Sequence, residues 1–271
     1  MPASEVLRFH LHLDVFGMTL AMILAFEYGI RRLAPAHAPR GEAVVTRRHR
    51  LAFYSGVGSL FLVSTWPIHD IGEQSLFLFH MIEHLVFGLV APPLLLYGIP
   101  WWLLRLAVKP ILPALRILTK PIVALVLFNG VLAAMHAPAL VDLMLTSETA
   151  HLLIHTALFV TGILMWWPVI GPIPDLPRLE PFPRMGYLFL QSLVPTIPAS
   201  FLTLGDTPLY HIYTTMPRLW GVSALSDQVA GGLIMKIGGG LLIWGFITVF
   251  FFRWWKDEQQ FTEHAQVVHS S

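Results

Sequence analysis

No cysteine occurs among the 271 residues, which excludes disulfides, thiolate metal sites and a cysteine nucleophile. Any soft-metal chemistry falls to histidine and methionine. Charge is scarce as well: 12% of residues are Asp, Glu, Lys or Arg, against ~25% in soluble domains. So little charge leaves most of the surface facing something other than water. With 55% hydrophobic residues and a mean hydropathy of +0.66, the chain reads as a polytopic membrane protein. A net charge of +1, with no basic patch interleaved with aromatics, argues against nucleic acid as a partner. A cleavable leader is not expected, because leaders place positive charge before the apolar core. Here Arg31 and Arg32 follow the run "VFGMTLAMILAFEYGI", so the first segment reads as a retained anchor.

What is present is apolar length. A membrane helix needs roughly 20 apolar residues, and seven segments approach this: about 13–33, 51–67, 76–98, 121–136, 150–169, 185–204 and 227–252. The expected fold is all-α, a seven-helix transmembrane bundle over residues 1–256 with a short polar cytoplasmic tail at 257–271. Fourteen of the seventeen Lys and Arg fall in the loops after spans one, three and five and in the tail. The positive-inside rule then predicts an external N-terminus and a cytoplasmic C-terminus. Trp101, Trp102, Trp166, Trp167, Trp254 and Trp255 mark an inner interface, Trp66 and Trp220 an outer one.

Nine of the thirteen histidines then lie at or just below the outer face. Span three opens "HMIEHLVFGLV" and span five "HLLIHTALFVTG", giving His80/His84 and His151/His155 at i,i+4. That spacing puts both rings on one helix face, and spans three and five run in the same direction, so the pairs share a depth. Imidazoles at this spacing converge readily on one ion. His136 ends span four at the same level, and His12 with Asp14 opens span one. Met81, Met135, Met144 and Met216 also lie there. Thioether and imidazole without thiolate suit copper, especially cuprous ion, with zinc as the alternative. Two stacked haems would need histidines at both membrane levels, and these occupy one. Glu83 and Asp227 are expected to orient imidazoles. Lys236, near mid-bilayer in span seven, is expected to have an internal partner, Glu83 or Glu27. Pro92 and Pro93 should interrupt span three, and Pro195 and Pro198 span six. Glycines 231, 232 and 238–240 offer span seven a close-packing face.

"FHMIEHLVFGLVAPPLLLYGIP" resembles the third-helix signature of the seven-helix CtaG-type cytochrome c oxidase assembly factors. "MHAPALVDLML", "HLLIHTALFVTGILMWWPVIGP" and "WGVSALSDQVAGGLIMK" match further family blocks in the same order, from span three to span seven. The matching positions are His80, His84, His136, His151, His155, Asp227 and Gln228. The chain departs at Glu83, where members often carry Gln, and at Met135-His136-Ala137-Pro138, often Trp-His-Leu-Pro. It departs too at Ile154, often Glu, and at Lys236, often Trp. The resemblance implies a non-enzymatic role in maturing haem-copper oxidases in a bacterial plasma membrane: binding copper at the outer face and passing it to an oxidase subunit. A homo-oligomer is compatible with it. Two rivals remain open on the residues alone. A zinc-dependent membrane hydrolase would use a carboxylate such as Glu83 as general base, although both pairs are HxxxH and not HExxH. A copper permease would need ligands along the membrane, where Met235 and Lys236 are the mid-depth candidates on span seven.

Overall fold

The computed structural model describes residues 3–41, 43–176 and 178–270, with side chains placed for 5–41, 43–176 and 178–260. Where water is excluded, backbone amides and carbonyls must pair within the chain, and a helix does this locally. Seven helices follow: Leu13–His37 (α1), Arg47–Gln74 (α2), Phe77–Gly98 (α3), Pro121–Met135 (α4), Glu148–Ile170 (α5), Pro181–Leu204 (α6) and Ala224–Gln260 (α7). Six are long and apolar enough to cross a membrane. The exception, α4, has 15 residues, about 22 Å at 1.5 Å each, against a core of roughly 30 Å. It reaches spanning length only with the arm Trp101–Leu118, from which it bends by 90°. The seven expected spans are thus six, plus this bent pair. The segment expected as a separate polar tail, 257–271, continues the α7 helix to Ser270, and its side chains from 261 lie outside the described residues.

Helices α3 and α5 form the centre. Over half of each apolar window is buried (56%), against 17% for α1 and α7. Helix α3 packs on α2, α5 and α7. Its proline pair does not break it. Pro92 has no N–H to offer the carbonyl four residues back, Gly88, and the helix passes through a π turn at Val86–Val90. The indole N–H of Trp166 on α5 donates to Gly88 O at 3.2 Å instead. Gly162 allows this approach, since a Cβ there would stand 3.0 Å from that same oxygen. Trp166 and Trp167, expected at an interface belt, are therefore buried in the core. Helix α6 does break at its proline, between Leu193 and Thr196. On α7, Gly231 lies against Phe77 and Met81 and Gly232 against Leu202 and Thr203, the close packing expected of a small-residue face.

Alternating helix directions separate two ends. One carries the basic loops: Glu27 accepts from Arg31, Arg50 and Tyr54, and Arg105 donates to Asp175 at 2.6 Å. That guanidinium holds the Asp175 carboxyl below its ordinary range. The opposite end gathers the histidines. There the 205–223 connection is tied down by Tyr210 O–H to His136 O (3.0 Å), Tyr213 O–H to Gly72 O (3.0 Å) and Ser75 O–H to Pro217 O (2.8 Å).

Candidate metal centre

The two i,i+4 pairs face each other across the α3–α5 contact. Ring centroids of His80 and His84 are 4.2 Å apart, those of His151 and His155 4.1 Å. Between helices, His80–His155 is 5.3 Å and His84–His155 is 5.1 Å. His84 Nε2 and His155 Nε2 approach to 3.1 Å, close to the roughly 3.3 Å edge of a tetrahedron with metal–nitrogen bonds near 2.0–2.1 Å. One ring atom each from His80, His84 and His155 lies within 4.8 Å of the other two. All three residues are buried, and both ring nitrogens of His80 lack a hydrogen-bond partner, as does His84 Nδ1. Polar atoms buried without partners are costly, and three convergent imidazole lone pairs are what a copper or zinc ion would satisfy.

His151 stands one turn nearer the histidine end. Its Nδ1 is 2.6 Å from Glu73 Oε1, and Glu73 Oε2 is 3.5 Å from His69 Nε2. These three residues form a second group of potential ligand atoms within 4.8 Å. Glu83, fully buried, lies between the groups. Its Oε1 is bonded to His69 Nδ1 at 3.2 Å, its Oε2 has no partner, and with His151 and His155 it makes a third such group. Glu83 thus orients an imidazole, but that of His69. Neither His69 nor Glu73 was singled out from the sequence. The signal existed, because "HDIGE" carries them at the same i,i+4 spacing as the histidine pairs.

Other expected residues lie around this centre in different roles. His136 donates from Nδ1 to Leu132 O at 2.6 Å, which leaves a lone pair on its buried, unpartnered Nε2. Its ring is 6.0 Å from that of His84, beside the convergent triad and not within it. His12 and His10 bond the two oxygens of buried Asp70 at 3.0 and 2.8 Å, so the His12 ring, 5.2 Å from His69, borders the centre without entering it. Asp14 is exposed in the first turn of α1. Met81 and Met135 are packed into the main apolar core, so nitrogen and oxygen donors carry the centre.

Asp227 corrects the sequence reading. Its oxygens accept from the amides of Phe77 (2.8 Å) and Leu78 (2.9 Å) and from Arg218 (2.8 Å), so it caps α3 and touches no imidazole among the described residues. The uncompensated amides at a helix start claim a buried carboxylate before a histidine can. Gln228 similarly accepts from Leu209 N and donates to Leu202 O, fixing the end of α6. Lys236 is a second correction. Glu83 and Glu27 are engaged elsewhere, and among the described residues no side chain pairs with Lys236. It is exposed beside a cleft that His84, Gln191, Ser192 and Met235 also line.

No curated protein and no solved structure matches the chain. A family model described as cytochrome c oxidase caa3 assembly factor matches residues 24–257. That stretch runs from within α1 through α7, and so extends the resemblance seen from the third span onward back over α2. It contains every residue of the three ligand groups, and on this match the chain belongs to the cytochrome c oxidase caa3 assembly factor family.

Proposed function

We propose that this protein receives copper at its histidine end, on the extracytoplasmic side of a bacterial plasma membrane, and passes it to a haem-copper oxidase subunit. The convergence of His80, His84 and His155 carries this reading. Three neutral imidazoles from two packed helices suit cuprous ion, which accepts three nitrogen donors, and would also accept zinc. Glu73, half-buried at the same end, adds a carboxylate to the imidazoles, which favours a cation over an anion there. Family membership supplies the process. The cation chemistry of the site supplies the cargo, and copper is the cargo that an oxidase needs. Membership of an assembly factor family supports the role of a carrier over that of an enzyme.

The test is metal analysis of the detergent-purified full chain beside His80→Ala/His84→Ala, paired with the copper content of the oxidase made in each strain. The expected result is copper bound to the wild-type chain, less of it bound to the double variant, and a copper-deficient oxidase under copper limitation in the variant strain. An unchanged metal content would overturn the site. A fully metallated oxidase in a deletion strain would overturn the role.

A further inference from the structure

The three ligand groups overlap in an ordered way. His69, Glu73 and His151 are half-buried, Glu83 and His155 lie inward of them, and His80, His84 and His155 are buried. The first and second groups share His151, and the second and third share His155. The first and third share no residue. We propose that His69, Glu73 and His151 form a separate loading site for a divalent cation, and that an ion moves from it to the buried triad through the Glu83 group. The transfer half of this rests on the triad holding an ion, as in the reading above; the loading site stands on its own geometry.

The donor chemistry of the loading site differs from that of the triad. Two imidazoles and a carboxylate are a mixed nitrogen and oxygen set, and the negative oxygen favours a dication over a monocation. Its parts are held in place. Glu83 bonds His69 Nδ1 and so directs Nε2 toward Glu73. Glu73 bridges His69 and His151 with its two oxygens. The His69 and His151 rings meet edge to face at 5.4 Å. The independent indication of a ligand is Glu83 Oε2. It belongs to a fully buried side chain and has no hydrogen-bond partner, and Glu83 groups with His151 of the loading site and His155 of the triad.

For a dication such as Zn(II) or Cu(II), which keeps its charge from the first donor set to the last, transfer needs no redox change and no outside reactant. In the first exchange the ion keeps His151, releases His69 and Glu73, and gains Glu83 and His155. In the second it keeps His155, releases His151 and Glu83, and gains His80 and His84. One residue, His151 and then His155, belongs to the donor sets on both sides of each exchange, so a donor side chain is at hand throughout inside the membrane, where a bare charge is costly.

The experiment is equilibrium dialysis of Zn(II) against the detergent-solubilised full chain, followed by stopped-flow measurement of Zn(II) uptake. The wild-type chain is expected to take up two ions. Glu73→Gln, which keeps size and hydrogen bonding, should weaken one of them by about tenfold or more. His69→Asn/Glu73→Gln should hold one ion, and His80→Ala/His84→Ala should hold the other. Uptake into the triad should slow by about tenfold in His69→Asn/Glu73→Gln while its equilibrium affinity stays that of the wild type. A wild-type chain whose only ion is lost in His80→Ala/His84→Ala and kept in His69→Asn/Glu73→Gln, or a Glu73→Gln chain that binds two as tightly as before, would overturn the loading site. An unslowed triad would overturn the transfer. If His80→Ala/His84→Ala keeps its single Zn(II) ion but oxidase metallation proves independent of the protein, the delivery role fails and the loading site survives.

Discussion

At the residue scale, the same side-chain type has taken different work according to what lies beside it. Four buried or half-buried carboxylates at the histidine end show this. Glu73 and Glu83 meet imidazoles, Asp70 pins the N-terminal segment through His10 and His12, and Asp227 caps a helix. Sequence spacing identified the rings of His80, His84, His151 and His155 because i,i+4 is visible in one helix. It could not assign Glu83 to His69 or Asp227 to the start of α3, because those partners are 14 and about 150 residues away in the chain. The Asp227 assignment gives a sharp prediction. Asp227→Ala leaves the amides of Phe77 and Leu78 at the start of α3 without an acceptor and removes the carboxylate that faces the Arg218 guanidinium, which keeps its backbone carbonyl acceptors. It should lower stability by roughly 3 kcal/mol or more, read as thermal unfolding of the detergent-solubilised protein by circular dichroism. Asp227→Asn keeps one acceptor oxygen and should lose about half as much. Equal losses in the two variants would show that charge, and not hydrogen-bond acceptance, sets the role.

At the element scale, close helix contact places the site, and small residues permit it. Gly72 lies in the last turns of α2, three residues from His69 and next to Glu73, and a Cβ there would come within 2.9 Å of the His80 amide nitrogen. That neighbour is backbone and cannot rotate away. Gly72→Ala should therefore push the His69/Glu73 turn off α3, lowering both stability and Zn(II) uptake. Gly130, in the middle of α4, has nothing within 4 Å of its missing Cβ. Gly130→Ala should instead raise stability by about 0.5–1 kcal/mol through helix propensity, with uptake unchanged. Unfolding midpoints and dialysis on the two variants check both statements. A third case is Trp166, whose indole satisfies the carbonyl that Pro92 leaves free. Trp166→Phe keeps the ring and removes the donor, and should cost about 1–3 kcal/mol. Prolines 92 and 93 were legible in sequence as an interruption. The rescue was not, because it comes from a residue 78 positions away on α5.

At the scale of the whole molecule, apolar length and charge sorting carried most of what the sequence disclosed. Span positions agree with the helices to within a few residues for α3, α5 and α6. The fourth span was harder to read because its apolar stretch is short and continues an interfacial arm around a 90° bend, which one-dimensional hydropathy cannot represent. Lys236 was misread for a related reason: counting residues gives depth along a helix but not the face, and the interior side of α7 is taken by glycine and Met235. The structure puts the histidine cluster and the basic loops at opposite ends, and charge bias predicts which end faces out. The absence of cysteine makes this directly measurable. Asp206→Cys sits in the exposed connection at the histidine end, Ala43→Cys in the exposed loop between α1 and α2 at the basic end. In intact cells or right-side-out vesicles, a membrane-impermeant maleimide should label Asp206→Cys, and should reach Ala43→Cys only after the membrane is opened. The reverse pattern would put the ligand groups on the cytoplasmic side. Copper would then have to meet the protein inside the cell, and the proposed route from the outer face to the buried triad would fail even with every distance in the site unchanged.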